Sequence, residues 1–546
     1  MRPTLRNAFL AAVLGALPTV CLAGLVAAPI ELPGQAEPSV VADGGRGFVL
    51  TWIDRGPEGL AQLRYAALDR AGVVMRAGEI ASGRDWFVNW ADFPSLAIAD
   101  NGDWVAFFLR TIDPAKPYAY EVRTTRSTDA GRTWSTPVLL HDDGTPTEHG
   151  FVSLLPDGDD RVLAMWLDGR RTPAPKDGEM HGGHAVTTLR TAILQREGGP
   201  RDGQELDDLT CDCCTTDAVR AGSGPLVVYR DRTGDEIRDV HWLQRGAQGW
   251  SSPRPVHADR WNIAGCPVNG PALALAGATP VVAWPTMAGD AYHVRVARRA
   301  GVGWSSPIEL ESGPGVLGRV DTAPWTNDGV LVSWLGGSAK ASVLRVAQLD
   351  RELGELSRLD VVSLPPGRMT GMPRMASHDG LALLAWTSPE VRGGKIRGVL
   401  LRAHEQVATA PAWLDPAERD ALEQGMGHGM ARAAEAHALP GPKHVLEHAE
   451  ALGLDAAQRA EMEGLRAAMH AAAVTQGRAV LRAELALDRE LAAPDPDPVQ
   501  VEALSTQAGA ARGRLRAVHL DAHVAAARVL SAEQRARYVE LRSPMR

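Results

Sequence analysis

The chain has 546 residues, 45% of them apolar, enough for two or three domains with cores of their own. Its formal net charge of −9 argues against nucleic acid as a partner. Gly (56 residues) and Pro (37) are plentiful, as turn-rich β structure requires.

Residues 1–23 read as a secretory signal. Arg2 and Arg6 precede an apolar run from Ala8 to Val20, and small residues follow at Ala23 and Gly24. The run is too short to span a bilayer unaided, and no later segment is long and apolar enough to do so. Lipid anchoring at Cys21 is disfavoured, because Val20 stands where a small residue belongs. The expected product is an exported, soluble chain.

From residue 28 to about 410 one pattern recurs. A short apolar strand and a turn lead to a second strand that ends in an aromatic. These second strands are FVLTW (Phe48 to Trp52), WVAFF (Trp104 to Phe108), VLAMW (Val162 to Trp166), LVVY (Leu226 to Tyr229), PVVAW (Pro280 to Trp284), VLVSW (Val330 to Trp334) and LALLAW (Leu381 to Trp386). A third strand follows, then a fourth marked by W-S-x-P at Trp134, Trp250 and Trp304. Units of roughly 45 residues with four strands each are the pattern of propeller blades, six or seven here. The last unit lacks a fourth strand, and APIELPG (Ala28 to Gly34) resembles SPIELESG (Ser306 to Gly313). The N-terminal segment is therefore expected to complete the final blade and hide both edges.

Propeller topology sorts the polar residues. Residues just after the second strands share one face with the connections between blades. That face receives Arg55, Arg110, Asp168, Arg170, Arg230, Asp231 and Arg232, a ring suited to an anionic small molecule or a glycan. Alternatively, these charges pair with one another and seal the channel.

The same face receives the CDCC run (Cys211, Cys213 and Cys214) and Cys266 in GCPVNGP. Four cysteines in an exported chain point first to disulfides, Cys266 with a member of the run, and the remaining two also able to pair. Adjacent Cys213 and Cys214 are poorly placed to bond each other. The loop carrying Met180, His181 and His184 adds thioether and imidazole, and with the thiols would suit copper or zinc.

The turn STDAGRTW carries Ser127, Asp129, Gly131 and Trp134. Its hydroxyl and carboxylate can bond turn amides, and its glycine can take positive φ. It fits the Asp-box of sialidase-type β-propellers, and the resemblance covers about residues 30–410. Active members of that superfamily hydrolyse sialosides with an R-I-P arginine, two further arginines, a Tyr–Glu nucleophile pair and an Asp acid/base. Here R-I-P is absent, and Tyr120 and Tyr292 have no Glu partner evident in sequence, so no catalytic residue is carried over. An exo-α-sialidase is the alternative to a binding protein.

Beyond residue 410 the strand rhythm stops. Helical periodicity runs from Pro416 to Ala436, His444 to Leu452, Ala456 to Leu491, Val499 to Val529 and Ala532 to Leu541. The PDPDP stretch, Pro494 to Pro498, separates two long helices and predicts an all-α hairpin. LDAAQ (Leu454 to Gln458) and LSAEQ (Leu530 to Gln534) each read as a capping box. Together they resemble the LTxxQ signature of the Spy/CpxP family over residues 413–543. That resemblance implies a periplasmic helical hairpin, often dimeric, that binds protein clients or senses metal. His444 and His448, and His519 and His523, are each four apart on a helix. GMGHGM places His428 between Met426 and Met430. These residues form a second candidate set for copper or zinc, with binding that weakens below about pH 6 as imidazole protonates.

Overall fold

The computed structural model describes residues 24–542, apart from 117, 174–185, 223, 290, 339–340, 366, 390–392, 404–412, 427–429 and 494–495. The proposed signal and the loop with Met180, His181 and His184 lie outside the described residues, as does His428. Two compact units separate at residue 404, one covering Leu22–His404 and the other including Glu405–Arg546.

The first unit is a propeller of seven antiparallel sheets, which decides between six blades and seven. Each second strand packs between two neighbouring blades, so it is apolar along its whole length rather than alternating. The strands Val162–Asp168 and Leu381–Ser388 are buried at every position. The aromatic that ends each second strand is buried in all seven blades: Trp52, Phe108, Trp166, Tyr229, Trp284, Trp334 and Trp386. Outer strands face water, and Arg201–Thr210 starts with four exposed residues.

Ring closure uses the N-terminal strand. Leu25–Glu31 pairs antiparallel with Lys395–Ala403, from Leu25 opposite Ala403 to Glu31 opposite Arg397. The last sheet thus combines the two ends of the propeller sequence, with the N-terminal strand covering Lys395–Ala403 as the outer strand.

The serine of W-S-x-P has a specific task. Ser135, Ser251 and Ser305 accept through Oγ from the backbone N–H of Arg126, Gln244 and Arg298, at 3.0, 3.1 and 3.2 Å. Each serine N–H donates back to the same residue's carbonyl. The hydroxyl stands in for a ladder partner just where the following proline interrupts strand pairing.

The Asp-box turn is bonded throughout. Ser127 Oγ accepts from Gly131 N at 2.8 Å, and Asp129 accepts from Thr133 N at 2.9 Å and Thr133 Oγ1 at 2.7 Å. These bonds lower the Asp129 pKa to about 2. Gly131 has φ +90°, and a Cβ there would stand 2.8 Å from both Trp104 and Tyr65.

Buried carboxylates latch neighbouring blades near the axis. Asp92 accepts from Phe151 N at 2.8 Å, Asp217 from Leu273 N at 2.7 Å and Asp321 from Met375 N at 2.6 Å. Burial pushes the Asp92 pKa up to about 7 and that of Asp217 up to about 6, and raises Asp321 as well.

Among the described residues the second unit has six helices: α1 (Pro416–Glu423), α2 (Arg432–Ala436), α3 (Pro442–Glu447), α4 (Ala456–Leu491), α5 (Pro498–Val529) and α6 (Ala532–Arg542). The single helix expected from Pro416 to Ala436 is two, because the glycine-rich GMGHGM run cannot carry the helix through. Asp415 caps α1 at Ala417 N, and Asp497 caps α5 at Val499 N. Asp455 and Gln458 form a complete capping box on α4. Ser531 and Gln534 make the same pair of bonds at α6. The two glutamines also bond each other, at 2.9 and 3.0 Å. Gln458 further donates to Val529 O at the end of α5. The repeated motif therefore joins the starts of α4 and α6 to the end of α5. Beside it lies a core of Val445, Leu452, Met462, Ala526, Leu530 and Tyr538.

Candidate functional site

The connection between blades 3 and 4 carries CDCC, and that between blades 4 and 5 carries Cys266. The structure brings them together, and Gly270 makes this approach feasible. A Cβ at Gly270 would stand 2.0 Å from Thr215 O, so the two connections can touch only through a residue without a side chain. Asn269 N then donates to Cys214 Sγ at 3.4 Å.

Cys211 Sγ stands 3.4 Å from Cys214 Sγ and 3.7 Å from Cys213 Sγ. Cys266 donates to Asp212 Oδ1 at 3.6 Å, and its sulfur lies within 4.8 Å of Cys213 Sγ. The four cysteines among the described residues are free thiols, so the disulfides expected among them are not formed here.

Charge is organised around Cys211. Burial opposes its thiolate, but Cys213 and Cys214 hydrogen-bond to it, and the Arg238 and Arg230 charges stand nearby. Together they hold its pKa well below the ordinary thiol range. Arg238 Nη1 reaches Cys211 Sγ at 3.3 Å and Asp212 at 3.4 Å, and Nη2 reaches Glu236 at 2.9 Å. Burial keeps Cys214 protonated by raising its pKa, and Cys213 is raised by its bonds to the other sulfurs. One thiolate with two thiols close by is a donor set that gains negative charge when a cation displaces protons. A tetrahedral ion with M–S near 2.3 Å sets sulfurs about 3.8 Å apart. The observed 3.4 and 3.7 Å separations fit that spacing with little movement.

The arginines expected to form a ring are each engaged by carboxylates or carbonyls. Arg55 bonds Glu37 at 2.7 and 3.0 Å, and Arg110 bonds Asp85 at 2.6 Å. Arg170 grips Asp168 at 2.8 Å, and Asp168 also accepts from Trp166 Nε1 at 2.8 Å. Arg232 pairs with Glu236 at 2.6 Å. Arg230 is 1% exposed and donates to the carbonyls of Asn269, Arg238 and Pro285. Its guanidinium lies 4.8 Å over the Trp261 ring. It ties the blade connections together beneath the thiols. Asp231 borders a separate cluster with Asp207 and His241.

Two groupings were not legible in the sequence because their members meet only through the ring. Tyr120 Oη bonds both Asp92 and Glu148 at 2.8 Å. Burial raises the Glu148 pKa to about 8, helped by nearby Asp212 and Asp92. Asp92 also lines a cavity of about 120 Å³ with Ser153, Thr216, Asp217 and Arg374. In the second grouping, His141 and His149 share the Asp143 carboxylate at 2.7 and 3.2 Å. Their rings stack 3.7 Å apart at 2°. Both rings direct a nitrogen at Asp143, and one ligating atom from each of the three residues lies within 4.8 Å of the others.

In the helical unit, His519 and His523 are both buried. His523 Nδ1 donates to Leu439 O at 2.9 Å, while burial and His523 lower the His519 pKa. Their shared face is interior. His444 and His448 lie at the last turn and C-cap of α3. Met426 is exposed, whereas Met430 packs on the core around Leu422 and Leu481. No helix among the described residues is long and apolar enough to cross a membrane.

A comparison with curated proteins found no match. Solved structures similar to the chain include the intramolecular trans-sialidase of Ruminococcus gnavus, at 12% identity and TM-score 0.38, over 57% of this chain and 94% of that one. A leech intramolecular trans-sialidase matches at 9% identity and TM-score 0.38, over 69% and 92%. A PL25 polysaccharide lyase, an ulvan lyase, matches at 12% and TM-score 0.39, over 70% and 95%. Residues 443–542 match the sequence model of the LTXXQ motif family protein, so the C-terminal part of this chain is similar to that family.

Proposed function

We propose that this is an exported, periplasmic binding protein whose propeller holds a thiophilic metal ion, copper(I) before zinc. Its LTXXQ domain would serve as a client-binding or dimerising partner module. The carrying observation is a set of three sulfurs, with Cys213 Sγ and Cys214 Sγ each no more than 3.7 Å from Cys211 Sγ and Arg238 supporting a thiolate among them. Cys211, Cys213 and Cys214 would hold the ion, with Cys266 beside Cys213 as a further donor. Soft sulfur donors favour copper(I). The test is an anaerobic titration of reduced full-length protein with copper(I) against a chromophoric chelator. Cys211→Ser is expected to lower affinity by at least about 100-fold. Equal retention of copper by wild type and by a variant with all four cysteines replaced would end this reading.

A second reading, an exo-glycosidase, is favoured by the Tyr120–Glu148 contact. Against it stand the complete burial of Tyr120 and the engagement of the ring arginines. Turnover of a fluorogenic sialoside that is lost in Glu148→Gln would support this alternative. Absence of turnover at high enzyme concentration would remove it.

A further inference from the structure

A second donor set lies between blades 3 and 4. Tyr229 and His241 are cross-strand partners on the second and third strands of blade 4. Asp231 follows the second strand directly, and Asp207 comes from the outer strand of blade 3. One ligating atom from each of Asp207, Asp231 and His241 lies within 4.8 Å of the other two. We propose that these three residues form a site for a divalent ion of borderline hardness, zinc(II), separate from the thiols.

Three observations carry this. The first is charge. Among the described residues no Lys or Arg forms an ion pair with Asp207 or Asp231, and Arg232, next in the chain, is held by Glu236 at 2.6 Å. Asp168 and Asp157, also buried, each pair with an arginine, at 2.8 and 2.6 Å. Two close carboxylates without a cation repel unless a proton or a metal ion lies between them.

The second is His241 Nδ1. It stands 3.1 Å from Asp231 Oδ2, yet it is shielded from water and makes no hydrogen bond. A tetrahedral ion with bonds near 2.1 Å separates its donor atoms by about 3.4 Å, so an ion held by both would satisfy this nitrogen.

The third is support and access. Tyr229 Oη donates to Asp207 Oδ2, which leaves the other carboxylate oxygen available and fixes its direction. Asp207 is only partly buried and its neighbour Asp208 is exposed, so an ion can enter from that side. Without sulfur, the set selects zinc over copper(I), the reverse of the thiol cluster.

The test uses full-length protein in which Cys211, Cys213, Cys214 and Cys266 are all replaced by Ser. Cobalt(II), a spectroscopic substitute for zinc, is titrated into it. One equivalent is expected to bind with visible ligand-field bands and no sulfur-to-metal charge transfer. Asp207→Asn and His241→Gln should each weaken that binding at least about 100-fold, and Tyr229→Phe about tenfold. Zinc should also raise the melting temperature of the quadruple-serine protein, reversibly with chelator. Asp207 is only half-buried, so its variant is the one expected to fold, and circular dichroism would check it. No cobalt binding by the quadruple-serine protein would overturn the proposal. So would binding that persists unchanged in folded Asp207→Asn and His241→Gln, which would place the ion on other histidines. Copper(I) binding by otherwise wild-type Asp207→Asn reports on the thiols alone, so the two sites fail separately.

Discussion

The propeller and the helical unit use the same chemistry at different sequence ranges. In the helical unit, Asp455 and Gln458 bond each other across three residues, and Ser531 and Gln534 do the same. In the propeller, Asp92 bonds Phe151 N across 59 residues and Asp321 bonds Met375 N across 54. Short-range caps are exposed and individually modest, whereas long-range latches are buried and titrate abnormally. Residues poised for chemistry collect where segments distant in the chain meet. That is why the thiol cluster and the Asp207 set lie at blade junctions.

The sharpest break in the comparison is removal of the closing strand. Deleting Leu25–Glu31 exposes the edge of Lys395–Ala403 and unseats its partners. The propeller's cooperative unfolding transition is expected to disappear in urea titration. The helical signal should persist in the same sample. Equal loss of both would show that the units do not fold independently.

Next in size is a pH effect confined to the propeller. Burial raises Asp217 to about 6, Asp92 to about 7 and Glu148 to about 8, against about 4 in an unfolded chain. A raised carboxyl contributes stability that is full below about pH 4 and is lost as pH rises through its folded value. Propeller stability should therefore fall by a few kcal/mol, on the order expected from linkage, between about pH 4 and pH 8. Asp92→Asn should flatten that slope while keeping the fold. A profile as steep as wild type would remove Asp92 from the account.

A smaller effect is expected at the paired glutamines. Gln458→Ala or Gln534→Ala should each cost about 1–2 kcal/mol in the helical transition. The double variant should cost less than the sum, because both changes remove the same mutual bonds. Strict additivity would show that the bonds between the glutamines contribute nothing.

The smallest change is expected from Arg110→Ala. Its partner Asp85 is about half exposed, so the loss should stay below about 1 kcal/mol by thermal melting. A larger loss would mean that the ring arginines are structural even at the rim.

Periodicity by itself determined the blade rhythm, because a second strand buried on both sides must read as a continuous apolar run ending in an aromatic. It also pointed to the N-terminal segment as the completion of the last sheet, although the strand is Leu25–Glu31 rather than Ala28–Gly34, and it located both capping boxes, since those signals are carried by neighbouring residues. The approach of the two cysteine segments was expected from topology alone, and Cys266 does lie beside Asp212 and Cys213. Only the tertiary structure decided seven blades over six, thiols over disulfides, and the pairing of each arginine with a specific carboxylate or carbonyl. It also supplied Glu148 to Tyr120, Arg238 to Cys211, and Asp207 to His241. Those contacts join different blades or their connections, and nothing local in the chain encodes a distance between two segments that meet only when a ring of sheets closes.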